Sequence, residues 1–70
     1  MKIKQMWLVT KPTKLSEMQD IFCKITVEGL RAQFLGGLQA DEVYGLYTTE
    51  KEAREIAEWL LHLRDAEKGN

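Results

Sequence analysis

The sequence predicts an α+β fold, an antiparallel sheet of three or four strands packed on one C-terminal helix. Three observations carry that prediction. Ile21 to Val27 alternates apolar and polar residues, Thr49 to Lys68 repeats apolar residues at helical spacing, and Ile3 to Thr10 is rich in Met, Trp, Leu and Val before Pro12.

The first strand is expected over Ile3–Thr10, stopped by a proline that cannot join a ladder. Lys11 to Gln19 is polar with Leu15 and Met18 embedded, and reads as a long loop or a single helical turn, the most mobile part of the chain. In the second strand Ile21, Cys23, Ile25 and Val27 share one face, while Phe22, Lys24, Thr26 and Glu28 share the other. Glu28-Gly29 is then read as a tight turn, after which Leu30, Ala32 and Phe34 alternate with Arg31, Gln33 and Leu35 to close a hairpin. Gly36-Gly37 breaks the ladder, and Glu42–Thr48 supplies another strand, with Val43, Gly45 and Tyr47 opposite Tyr44 and Leu46. The strands are expected to pair in sequence order.

The helix has the strongest local signals. Thr49 with Glu52 three residues on has the form of a capping box, Glu50 and Glu52 suit the positive end of the helix dipole, and Arg64, Lys68 and Gly69 mark the other end. Ala53, Ile56, Ala57, Leu60 and Leu63 form the stripe expected to cover the sheet.

Seventy residues make one domain, residues 1–70, near the lower limit for folding without a staple or a partner. With 44% hydrophobic and 30% charged residues the composition is that of a globular protein and not of a disordered chain. One cysteine excludes an internal disulfide, and the absence of a long apolar run excludes a membrane span and a signal peptide's core, so a complete cytoplasmic protein is expected. The net charge of −1 hides an asymmetry: six basic against three acidic residues up to Arg31, then four basic against eight acidic.

Few residues suggest chemistry. His62 is the single histidine, and Glu58 and Asp65 share its helix face, but a closed metal site needs about four ligands, usually with thiolate or a second imidazole. A solvent-facing surface and no metal are expected there. Cys23, between Ile21 and Ile25, reads as a small core hydrophobe that does not meet His62. Gly36-Gly37 lacks the lysine of a phosphate loop. No nucleophile, base and orienting group can be assembled, and a ligand cavity of about 300–1,000 Å³ would consume most of so small a core. The chain is therefore expected to be non-enzymatic, with no catalytic residue and no cofactor.

Surplus apolar surface is the more informative feature. Adding Trp59, Leu61 and Ala66 widens the apolar arc of the helix to roughly 220°, beyond what one covered face needs. If the helix takes the Cys23 face, then Phe22, Leu35, Tyr44 and Leu46 remain on an open face. These residues, Trp59, Phe22, Tyr44, Leu46, Leu35 and Leu61, are the expected contacts with a protein partner or with a second copy in a homodimer. The expected function is a small regulator or inhibitor that acts by binding a protein.

The run from Val43 to Ala53 also resembles the last strand and helix start of AP2-type DNA-binding domains, including the arm-binding domains of phage integrases, on Gly45, Tyr47, Thr49, Glu52 and Ala53. That resemblance, shared with small phage-encoded α+β proteins, implies a sheet on one C-terminal helix. It makes nucleic-acid binding through the open sheet face the alternative function, with Lys24 and Arg31 as phosphate contacts and Phe22 and Tyr44 as stacking rings.

Overall fold

The computed structural model describes residues 5–68. Along the chain stand β1 (Gln5–Thr10), a short helix α1 (Met18–Ile21), β2 (Phe22–Thr26), α2 (Val27–Leu35), a 3-10 turn (Ala40–Glu42), β3 (Val43–Tyr47) and α3 (Glu50–Lys68). The fold is α+β, a three-stranded antiparallel sheet packed against α3. Ile3 and Lys4, expected in the first strand, and Gly69, expected beyond the helix, lie outside the described residues.

The hairpin expected after Gly29 is replaced by α2. Thr26 caps this helix, its hydroxyl accepting the Gly29 N–H at 2.9 Å, and Leu30 to Leu35 supplies mostly good helix formers. Gly37, at φ 120°, ends it: its N–H reaches the Phe34 carbonyl and the Leu38 N–H reaches the Gln33 carbonyl, the paired bonds of a Schellman cap. With residues 27–35 helical, the chain adds no strand to the outer edge of β2 and returns on the far side of β1. The order is therefore β2-β1-β3, with β1 central, and not sequential.

The register fixes which face α3 covers. Val9 lies opposite both Phe22 and Gly45, and Trp7 opposite both Lys24 and Tyr47, so these residues share one face. Val9 and Ile21 are buried with Ala53 and Ala57 of α3, and Trp7, Phe22, Tyr47, Ile56, Leu60 and Leu61 pack around them. The helix thus covers the Phe22 face and not the Cys23 face. The two large rings decide it: Trp7 and Phe22 stack at 5.2 Å between centroids, and burying them removes more apolar area than burying Cys23 would. Cys23 is accordingly exposed, on the opposite face with Leu8 and Ile25. Ile25 is buried there against the first turn of α2 at Gly29.

Thr49 caps α3 through the Glu52 N–H at 3.3 Å. The buried side of α3 is turned toward Leu61 and Arg64 relative to the expected stripe, leaving Leu63 40% exposed. Arg64 is anchored on that side of the helix. Its Nη1 donates to the Thr13 carbonyl at 2.8 Å and to the Ser16 carbonyl at a short distance, while Nε and Nη2 hold Asp65. The segment expected to be the most mobile is thereby tied to α3, and Thr13 and Ser16 bond to one another within it.

Candidate functional site

Trp59 stands on the outer flank of α3, away from Ala53 and Ala57, where helical spacing places it. Its ring meets Tyr44 edge to face, with centroids 6.2 Å apart. Strict alternation would set Tyr44 on the face of Leu46, away from α3. A bulge prevents that: Val9 pairs with Gly45 and Thr10 with Val43, so Tyr44 is an extra residue in the ladder and turns to the helix side. Gly45 makes room beside it, since the Tyr47 ring lies across its α-carbon and a β-carbon there would sit 2.8 Å from the Tyr47 hydroxyl. Burial, then the neighbouring charges of Tyr44 and Glu52, push the Tyr47 phenol above its ordinary pKa.

Trp59 and Tyr44 remain 48% and 40% exposed despite this contact, so the pair is held by the fold yet open to a partner. Leu46, 42% exposed, flanks the same strand on the opposite face. Leu35 is 82% exposed at the end of α2, separate from the sheet. Phe22 and Leu61 do not join these residues. Phe22 is half-buried beneath α3, stacked on Trp7 with the Arg54 guanidinium 6.0 Å above its ring, and Leu61 packs against the core. Exposed apolar residues outside the expected contacts are Leu63, one turn beyond Trp59 and expected in the buried stripe, Leu15 in the loop before α1, and Val27 and Phe34 on α2.

Of the residues expected to contact nucleic acid, Lys24 lies on β2 and Arg31 on helix α2, while Phe22 stacks on Trp7 and Tyr44 meets Trp59 edge to face.

A groove of about 380 Å³ opens on the sheet face opposite α3, floored by Leu8, Ile21 and Leu38 with Cys23 in its wall. Its two carboxylates already serve the backbone: Asp20 accepts the Glu17 N–H at 2.7 Å and Glu42 accepts the Gln39 N–H at 3.1 Å. Although Cys23 is exposed, the part of its thiol that the groove wall covers is desolvated, which raises the pKa above its ordinary value, the reverse of an activated nucleophile. His62 is exposed on α3, across the sheet from Cys23, and no three potential metal ligands cluster among the described residues. No helix among them is long and apolar enough to cross a membrane. Comparison with protein-family models, with curated proteins and with solved structures gives no match to this chain.

Proposed function

We propose that this chain is a small, non-catalytic protein–protein interaction module, a regulator or inhibitor that acts by occupying a surface of its partner. The exposed Trp59–Tyr44 pair carries the reading. Trp and Tyr are the residues most enriched among energetic anchors of interfaces, and an anchor already held by helix and strand loses little conformational freedom on binding. Glu55 and Glu52 lie on the same helix flank, one and two turns before Trp59.

The test is quantitative affinity capture with the wild-type chain and with Trp59→Ser, each verified by its melting curve. At least one protein should be recovered by the wild type and lost roughly thirtyfold with the variant, the scale of a single aromatic anchor. Equal recovery by two folded proteins refutes the reading.

A further inference from the structure

We infer that the partner at this site is a second copy of the chain, joined through the free edge of β3. The inference rests on the interaction-module reading and names its occupant. With the order β2-β1-β3 the sheet has two edges, and they differ. The β2 edge carries Lys24, a charge of the kind that blocks edge pairing, and runs directly into α2. The β3 sequence, Val-Tyr-Gly-Leu-Tyr, has neither charge nor proline. Tyr44 to Tyr47 make no backbone hydrogen bond outside the ladder with β1 among the described residues.

The exposed side chains also favour an added strand over a protein laid on one face. Tyr44 and Trp59 flank this edge on the α3 side, and Leu46 flanks it on the other. An occupant that continues the sheet covers both. The bulge leaves Gly45–Tyr47 as the regular part of the strand, which places a two-fold axis at Leu46. Leu46 then faces its own copy, Tyr47 faces the glycine of the second copy, and the paired strands bring no like charges together.

The layers fit as well. The α3 helix packs on Val9 of the central strand, so in a continued sheet the two α3 axes stand about three strand spacings, or about 14 Å, apart. Helices in contact lie about 8–10 Å apart, so a slot remains of a width that aromatic side chains fill, and Trp59 and Tyr44 of both copies stand in it. The exposed parts of Tyr44, Leu46, Trp59 and Leu63 come to about 400 Å² per copy, or about 800 Å² in all, the size of a weak, transient contact. The dimer is accordingly weak, forming between about 10 µM and about 1 mM.

Light scattering on the whole chain from about 10 µM to about 1 mM tests this, with Leu46→Lys and, as an exposed leucine elsewhere, Leu35→Lys. The wild-type mass should double from 8.1 kDa, Leu35→Lys should follow it, and Leu46→Lys should remain monomeric. Amide hydrogen exchange of the wild type reads the same edge without a mutation: exchange at residues 45–47 should slow as concentration rises. A wild type that stays monomeric throughout overturns the inference, and does so without touching the interaction-module reading if Trp59-dependent capture of another protein persists. A folded Leu46→Lys that dimerises like the wild type, or exchange at residues 45–47 indifferent to concentration, overturns the β3 edge.

Discussion

Arg64 ties the loop carrying Thr13 and Ser16 to α3, and removing it should loosen that loop before anything else. Its guanidinium donates to the carbonyls of Thr13 and Ser16, about fifty positions earlier in the chain, and its side chain keeps 20% of its accessible surface. Hydrogen bonds from a charged donor contribute about 1.5–3 kcal/mol each when dry. This site is partly wet, and carbonyls released from Arg64 can reach water, so about 1 kcal/mol for each bond is the appropriate scale. Arg64→Ala should then cost about 2 kcal/mol, or roughly 8–16 °C in melting temperature for a domain of this size. Arg64→Lys keeps the charge but lacks the fork, and should recover only part of the loss. Asp65→Asn removes an exposed pair and should change stability by less than about 0.5 kcal/mol. Limited trypsin digestion localises the effect: cleavage after Lys14 should accelerate in Arg64→Ala ahead of global unfolding. A variant that melts like the wild type and is cut after Lys14 no faster refutes the tether.

Two further perturbations address the sheet. Gly45→Ala drives a methyl group into the Tyr47 ring, with approaches of 2.8 to 3.1 Å, and should lower stability by about 1–3 kcal/mol in chemical denaturation, whereas a melting point equal to that of the wild type would mean the ring does not lie there. Phe22→Ala should cost about 2 kcal/mol and Cys23→Ala less than about 0.5 kcal/mol, because α3 covers the first and not the second; the reverse ranking would return the helix to the other face. The Cys23 thiol itself should alkylate slowly at neutral pH, with a rate that rises through a midpoint above that of an unstructured cysteine peptide, since burial favours the protonated form. A midpoint at or below the peptide's value would contradict that environment.

Much of the fold was legible because α3 and β2 carry their own signals. Thr49 and Glu52 announce the helix start, and the alternation of residues 21–27 announces a strand. The same period-2 reading failed over residues 30–35, where Leu, Ala and Phe at every second position coincide with residues that also favour a helix. Signals for that helix were present in Thr26, three residues before Gly29, and in Gly36-Gly37, whose second member takes the left-handed cap. Alternation also states that two faces differ without stating which one a helix covers. That choice depends on the neighbour across the ladder, and only pairing with β1 puts Trp7 onto Phe22. Arg64 was invisible for another reason: its partners are backbone carbonyls of a remote loop, which leave no side-chain pattern to read.

The exposed pair shows how little of a site need be written as a pattern. Trp59 was legible as surplus, because it lies on a helix flank the sheet does not need. The parity of the sequence alone leaves Tyr44 beside Leu46, on the groove side. What brings it to Trp59 is the one-residue slip between Val9 and Thr10. Tyr47 could not fold across a β-carbon at position 45, so a glycine there and the slip beside it together leave the helix side of the edge to two aromatic rings from β3 and one from α3. An irregularity of the ladder, and not its regular repeat, places the proposed anchor at the edge of the sheet.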